Sequence, residues 1–153
     1  MNDHTFAICA YKESPYLEEC ILSLKNQTIK SKIIMATSTP NEWINNLADK
    51  YQIPLYINKG EGGIAQDWNF AYRQTDTGLV TIAHQDDIYE PTYLNDVMNC
   101  AKNARRPVLI FTDYGEMRNG NKVRKSTLLT VKRLMLLPLR IKALGKSVFF
   151  KRL

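Results

Sequence analysis

The chain has 153 residues, of which 44% are hydrophobic and 24% are charged. This length can bury one good core, and the composition is typical of a soluble globular protein. No run approaches about 18 consecutive apolar residues, and the first residues lack the pattern of a signal peptide, so neither a membrane-spanning helix nor secretion is expected. Cys9, Cys20 and Cys100 are far apart and form no CxxC pair, which favours reduced cysteines in a cytosolic protein.

The charge is distributed unevenly along the chain. Residues 1–116 hold all 15 acidic residues and ten basic ones, a balance of −5, whereas residues 117–153 hold 11 basic residues and no acid. One interpretation is a basic tail that is simply solvated. The other is attraction to an anionic partner, such as a membrane surface, a phosphate-bearing substrate or nucleic acid.

The chain alternates continuous apolar runs with segments of helical periodicity. Five apolar runs predict strands, at residues 5–11, 32–38, 53–58, 78–84 and 107–113. Helix starts are indicated by Ser14-Pro15, with the serine as cap, and by Thr39-Pro40, the glycine loop 59–63 and Pro91. Such strand–helix repeats predict right-handed crossovers and a mainly parallel α/β sheet with helices on both faces.

The basic region begins with a predicted hairpin. Residues 114–125 read YGEMRNGNKVRK, in which Asn119-Gly120 is a strong tight-turn signal. The leucines between residues 128 and 137 have helical spacing, which Pro138 is expected to interrupt. This helix could pack on a further half of the protein, or lie on anionic lipid as a basic, partly amphipathic surface. Nucleic acid is a weaker candidate, because no nucleic-acid-binding motif accompanies the charge.

Polar residues follow three of the predicted strands at the points where the strands end. In parallel sheets, ligands bind outside the carboxyl ends of the strands. We therefore expect residues 11–13, 37–39 and 84–87 to converge at one edge of the sheet.

The stretch HQDD at residues 84–87 contains more potential metal ligands than the other two segments at that edge. Asp86 and Asp87 could hold a hard divalent cation such as Mg²⁺ or Mn²⁺, which prefers oxygen ligands, or they could form a turn or a helix cap. His84 could add a nitrogen ligand, donate to phosphate, or be a buried, hydrogen-bonded histidine. Spacing alone leaves the alternatives for Asp86 and Asp87 open, whereas for His84 a buried, hydrogen-bonded histidine is the expectation.

Two stretches of the chain together resemble glycosyltransferase family 2. TFAICAYKESPYLEECILSLKNQT, residues 5–28, is similar to the family's first strand, loop and helix, whose helix ends in Ser-Leu-x-x-Gln-Thr. NKGEGGIAQDWNFAYRQTDTGLVTIAHQDDIYEPTYL, residues 58–94, resembles its Gly-rich helix and the strand that ends in Asp-x-Asp-Asp. The resemblance covers roughly residues 4–115 and implies the GT-A (Rossmann-like) fold. It implies a nucleotide-sugar-binding half at residues 1–116, and a missing or incomplete acceptor half that starts at residues 117–153.

The resemblance also implies which residues bind the nucleotide. The matching positions are Ala10, Tyr11, Glu13, Ser38, Asn69 and Asp86. Ser38 stands where the family usually has a carboxylate, which leaves the choice of nucleobase open. In the third helix the family often has Ala-Arg-Asn, and of these only Asn69 matches the sequence Asp67-Trp68-Asn69.

The family's metal motif aligns with residues 84–87. Asp86 falls on its metal-binding aspartate, and His84 replaces its first aspartate. The resemblance therefore implies Mn²⁺ or Mg²⁺ on Asp86, with Asp87 and His84 as further candidate ligands. Such a cation would neutralise the charge that develops on the leaving nucleotide.

The implied reaction is a transfer, expected to be inverting, from a nucleotide-diphosphate sugar, with a UDP-sugar as the expected donor. The expected acceptor is a glycan or a lipid-linked sugar, in the synthesis of bacterial-type surface polysaccharides. Inversion needs a base for the acceptor hydroxyl, which in the family lies downstream, yet this sequence has no Asp or Glu after Glu116. We therefore expect a truncated donor-binding part, in the cytoplasm or at the inner face of the membrane. The alternative is a non-catalytic nucleotide-sugar-binding module.

Overall fold

The computed structural model describes residues 3–105, 107–118 and 121–140. The chain divides into two compact units, Met1–Ile110 and Phe111–Leu153. None of the helices in the described part is long and apolar enough to cross a membrane.

The first unit is built on a four-stranded parallel sheet. Its strands are β1 (His4–Ala10), β2 (Lys32–Thr37), β3 (Leu55–Ile57) and β4 (Leu79–His84), arranged in the order β3-β2-β1-β4. Its helices are α1 (Leu17–Lys25), α2 (Glu42–Tyr51), α3 (Ile64–Arg73) and α4 (Tyr93–Asn103). The mainly parallel α/β sheet and its first four strands are therefore confirmed.

Helices cover both faces of this sheet, which explains why its strands are apolar without alternation. On one face, Phe6 and Ile8 of β1 belong to a buried cluster that also contains side chains of α1, α2 and α4. On the other face, Ala7 of β1 and Ala36 of β2 form a smaller cluster with Ala71 of α3. The small alanine side chains on this second face suit the close approach of a single helix.

Two helix caps differ from the sequence prediction. Helix α2 is capped by Asn41, whose side-chain oxygen accepts a hydrogen bond from the backbone N–H of Ile44 at 2.9 Å. Thr39-Pro40 precedes this cap and lies in the loop. Ser14 does not cap α1, because its hydroxyl accepts from the backbone N–H of Tyr16, one residue before the helix begins. Caps depend on the local backbone path, which residue type alone does not define.

The predicted fifth strand is wrong. Residues 107–113 form no strand, and β4 lies at an edge of the described sheet. Val108 is fully exposed, and Leu109 is 79% exposed. An apolar run becomes a buried strand only where a neighbouring edge pairs with it and other elements cover its faces. The sequence contains the run, but the run does not specify that partner.

The second unit contains a hairpin and a helix. Strands β5 (Glu116–Arg118) and β6 (Asn121–Val123) pair antiparallel, which confirms the hairpin, although the turn at residues 119–120 lies outside the described residues. Helix α5 (Thr127–Arg140) continues through Pro138, where the sequence predicted a break. Proline removes one helical hydrogen bond, but its fixed φ is compatible with a helix. Within this unit, the Arg133 side chain donates to both carboxylate oxygens of Asp113, at 3.0 and 3.1 Å.

His4 is a fully buried polar residue at the start of β1. Its Nδ1 lies 2.9 Å from the Ser31 hydroxyl, and its Nε2 lies 2.9 Å from the Thr81 hydroxyl. Both ring nitrogens therefore have partners in the neutral form. Burial disfavours the charged imidazolium and lowers the pKa of His4 from its ordinary value of 6.5 to about 4.

This lowered pKa predicts a loss of stability in acid. Between pH 6.5 and about 4 the unfolded chain binds a proton at His4 that the folded chain does not, so stability should fall as the pH falls. The free energy of unfolding should change by at most about 1.4 kcal/mol per pH unit through this group. His4→Gln should have a flatter pH dependence than the wild type in urea unfolding across this range. His84→Gln, which alters the other histidine, is the control, and equal slopes for His4→Gln and wild type would contradict the prediction.

Candidate functional site

The carboxyl ends of the four parallel strands meet at one edge of the sheet. In the pairing register, Ala10 lies beside Thr37, Cys9 beside His84, and Thr37 beside Ile57. The loops that follow these strands therefore begin next to one another. We call this edge the rim, and it consists of residues 11–13, 37–39, 58–63 and 84–87.

Gln85 joins the loop after β4 to the loop after β1. Its side-chain oxygen accepts a hydrogen bond from the backbone N–H of Tyr11 at 2.9 Å, and its side-chain nitrogen donates to the Tyr11 carbonyl at 2.9 Å. The side-chain amide thus replaces a peptide group where the β1–β4 pairing ends. Sequence reasoning placed Gln85 in the metal motif without a role of its own.

A second link joins the loop after β1 to the loop after β2. The backbone N–H of Lys12 donates to the Thr39 hydroxyl at 2.6 Å, and Lys12 has a left-handed φ of 55°. This conformation costs a non-glycine residue roughly 1–2 kcal/mol, so surrounding contacts must hold it. The Tyr11 and Glu13 side chains are exposed beside it, and both are therefore accessible to a ligand.

Asp67, in the first turn of α3, contacts two further segments of the rim, residues 37–39 and 58–63. Its carboxylate accepts hydrogen bonds from the Ser38 hydroxyl at 2.9 Å and from the Asn58 side-chain nitrogen at 2.8 Å. A longer contact of 3.4 Å comes from the backbone N–H of Gly63. Gly63 has a φ of 136°, a conformation that residues with a side chain rarely adopt, so this turn favours glycine. Sequence reasoning gave Asp67 no role.

Asp86 and Asp87 lie in a turn directly after β4. The backbone N–H of Asp87 donates to the His84 carbonyl at 3.2 Å, which confirms the turn, whereas α4 begins only at Tyr93. Burial raises the pKa of Asp87, His84 partly offsets this by lowering it, and the negative charge of Asp86 adds a smaller increase. Neither carboxylate has a hydrogen bond or ion pair with another residue of the described part. Both are therefore available to a ligand.

His84 is half-buried and contacts Trp68 of α3. The two rings meet edge to face, with centroids 4.9 Å apart and an interplanar angle of 83°. The His84 ring makes no hydrogen bond with any residue that the structure describes. The expectation of a buried, hydrogen-bonded histidine is therefore wrong for His84 and holds instead for His4.

The donor set at this turn suits a hard cation that takes its remaining ligands from elsewhere. Among the described residues, no three His, Cys, Asp or Glu side chains come together in a way that could hold a metal ion by themselves. Two neighbouring carboxylates without cationic partners can nevertheless bind Mg²⁺ or Mn²⁺, which commonly complete their shells with phosphate oxygens and water.

Gln27 positions the segment between the Asp86–Asp87 turn and α4. It is buried, its side-chain nitrogen donates to the Glu90 carbonyl at 2.8 Å, and its side-chain oxygen accepts from the backbone N–H of Leu94 at 2.9 Å. This contact explains the glutamine of the Ser-Leu-x-x-Gln-Thr stretch. A glutamine at the end of an apolar helix was the available signal, and sequence reasoning did not assign it a contact.

No contact among the described residues joins Asn69 to the other predicted site residues. Asn69 follows Asp67 by two positions, which is about 200° around the helix. It is exposed, and no described residue forms a hydrogen bond with it. Ala10 is buried at the end of β1, and Ser38 lies on the rim through its contact with Asp67.

Comparison with known proteins places this site in a family. The family model described as Glycosyl transferase family 2 matches residues 5–150. The chain belongs to glycosyl transferase family 2. Members of this family are glycosyltransferases, and they often use divalent metals. No curated protein matches the chain.

A solved structure supports the fold independently. The crystal structure of residues 1–349 of S. aureus TarS matches with a TM-score of 0.59 and 17% sequence identity, over 65% of this chain and 32% of the TarS chain. The family 2 chain thus spans about a third of that structure. At this identity the likeness concerns the fold alone, and it confirms the GT-A type of α/β sheet that the sequence predicted.

Proposed function

We propose that residues 1–116 are the nucleotide-sugar-binding part of a glycosyltransferase. In this proposal the donor is a UDP-sugar, and the acceptor is a glycan or a lipid-linked sugar in bacterial-type surface polysaccharide synthesis. The observation that carries the proposal is the Gln85–Tyr11 pairing, because it holds an exposed aromatic loop beside two free carboxylates. A nucleoside diphosphate needs both kinds of group, one for its base and one for the cation on its phosphates.

The nucleoside end of the donor would lie against the loop after β1. The Tyr11 ring is 49% exposed and offers a face on which a base can stack. Ala10, Glu13 and Ser38 complete this side in our proposal. Asn69, which is exposed on α3, is a further nucleotide-binding residue in this proposal.

The diphosphate end would lie at the turn after β4, with Asp86 and Asp87 as carboxylate ligands for Mn²⁺ or Mg²⁺. The raised pKa of Asp87 is compatible with this role, because its main cause is burial, which makes an uncompensated carboxylate unfavourable here. A cation on these ligands would neutralise charge on the leaving nucleotide. His84 lies beside the pair as a further ligand or a donor to phosphate.

Asp86→Ala should abolish metal-dependent nucleotide binding, whereas His84→Ala should only weaken it. Calorimetry with UDP, GDP and TDP, in Mn²⁺ and in chelator, measures this, and we expect UDP to bind tightest. We expect UDP affinity to fall by about tenfold or more, and a tenfold loss corresponds to about 1.4 kcal/mol of binding free energy. The melting temperature of Asp86→Ala should not fall, because the change removes like-charge repulsion at an exposed turn.

Three results would contradict this assignment. Equal UDP binding in Mn²⁺ and in chelator would exclude the metal role. If His84→Ala weakened metal-dependent UDP binding more than Asp86→Ala did, His84 rather than Asp86 would be the principal metal ligand. A large drop in the melting temperature of Asp86→Ala would indicate a structural role for this carboxylate instead.

A polypeptide of residues 1–153 should bind the donor without transferring sugar to an acceptor. A positioned base typically contributes about 10²–10⁴ in rate, and no Asp or Glu follows Glu116. Asp86 and Asp87 would be occupied by the cation. A radiolabelled donor, offered with and without lipid-linked acceptors, measures transfer, and slow hydrolysis by water is compatible with the proposal. Robust acceptor-dependent turnover would show that a carboxylate within residues 1–116 is the base, and would also exclude the non-catalytic module.

We further propose that the basic region touches an anionic membrane, on the cytoplasmic side. Val131, Leu134 and Met135 of α5 are 49%, 67% and 75% exposed and lie at helical spacing on one side. Residues 117–153 carry 11 basic residues and no acid. An exposed apolar stripe within a basic region is typical of helices that lie in the interface of an anionic bilayer.

Vesicle co-sedimentation tests this contact. Phosphatidylglycerol vesicles should retain the protein at low salt, neutral phosphatidylcholine vesicles should not, and high salt should release it. Leu134→Asp should reduce binding more than Thr127→Asp, which adds the same charge at the exposed start of α5. Absence of binding, or equal effects of the two substitutions, would favour a helix that packs on a further part of the protein.

A further inference from the structure

The Asp67 carboxylate brings a negative charge to the end of β2. It accepts the hydroxyl of Ser38 and the side-chain amide of Asn58, at 2.9 and 2.8 Å. These donors and the Gly63 N–H are all neutral, and no Lys or Arg of the described part forms an ion pair with Asp67. Its charge, after burial, also raises the pKa of Cys9 on β1, to about 11. A carboxylate without a counter-charge thus lies at the rim near the ends of β1, β2 and β3.

The orientation of this carboxylate is fixed, and part of its acceptor capacity is unused. Asp67 Oδ1 accepts one described hydrogen bond, from Asn58, although a carboxylate oxygen can accept two. Asp67 is half-buried, and the neighbouring glycine loop at residues 60–63 is exposed. A ligand at the rim can therefore reach the carboxylate without displacing the protein donors.

We infer that Asp67 is a specificity-determining residue of the nucleotide site. Its carboxylate, presented from α3 beside Ser38, accepts a hydrogen bond from a nucleoside donor group. This inference rests on the proposed function, since it assigns a further residue to the same site. Two groups of a uridine nucleotide have the required chemistry, the imide N–H of the base and the hydroxyls of the ribose. Hydrogen bonds to an ionised acceptor are roughly twice as strong as neutral ones, so one such contact discriminates between ligands.

A purely structural role for Asp67 makes a different prediction, which an exchange of residues can test. In Asp67→Ser the carboxylate is lost, and in the double variant Ser38→Asp/Asp67→Ser it returns at the other end of the same contact. The double variant keeps a carboxylate–hydroxyl pair but lacks the Asp67 bonds to Asn58 and Gly63. If Asp67 served only to join those segments, the double variant would be as defective as the single one.

The experiment is UDP titration by calorimetry in Mn²⁺, on the full chain and both variants. Asp67→Ser should weaken UDP binding by about tenfold or more, as expected for loss of a charge-assisted hydrogen bond, and the double variant should recover most of that loss. Asp67→Asn, which keeps the shape but not the charge, should resemble Asp67→Ser and serves in its place if the serine variant does not fold. Titration with 2′-deoxy-UDP and N3-methyl-UDP identifies which nucleoside group donates the hydrogen bond to Asp67. The analogue that lacks this group should bind wild type and Asp67→Ser equally well.

The outcomes separate this inference from the proposed function. If wild type binds UDP and Asp67→Ser binds it equally well, the inference is overturned and the proposed function stands. If both the single and the double variant lose binding, Asp67 is a structural residue and the inference is likewise overturned. If wild type binds no nucleoside diphosphate, the proposed function and the inference both fail.

Discussion

The side-chain amide of Gln85 completes the sheet at the point where strands β1 and β4 separate. Parallel strands satisfy each other's backbone groups only while they run side by side, and unpaired polar groups near a core are costly. Gln85 offers one donor and one acceptor in the geometry of a peptide, and Tyr11 uses both. The loop after β1 and the Asp86–Asp87 turn are thereby held together, although they are 74 residues apart. The proposed site depends on this contact.

The other loops of the rim follow the same rule. Thr39 accepts the backbone N–H of Lys12, and Asp67 accepts donors from the ends of β2 and β3. Gln27 does the same between α1 and the start of α4. Thr39 and Gln27 accept backbone N–H groups, whereas Asp67 accepts mainly side-chain donors, and each of these contacts links two segments of the chain. By the resemblance, Ser38 stands where the family usually has a carboxylate, and Asp67 of α3 accepts the Ser38 hydroxyl.

The elements that were predicted correctly are those whose sequence signal coincides with their environment. Strand β1 is buried on both faces, so its apolar run is continuous, and the Asn-Gly pair marks the hairpin of β5 and β6. Residues 107–113 have an equally apolar run but no neighbouring strand, so the same signal predicted a strand that does not form. Asn41 rather than Thr39-Pro40 caps α2, because the chain turns into the helix two residues later than the proline suggests.

The amino-acid sequence by itself determined the α/β class, the first four strands, the family and the edge at which the polar residues gather. These follow from local periodicity and from the rule that parallel strands end on the same side. Only the tertiary structure decided which polar side chains touch. Ser38 and Asp67 are 29 residues apart, and nothing in either neighbourhood specifies their contact. Such contacts depend on strand register and on the placement of a helix against the sheet, and both are set by packing across the whole core rather than by any local stretch of sequence.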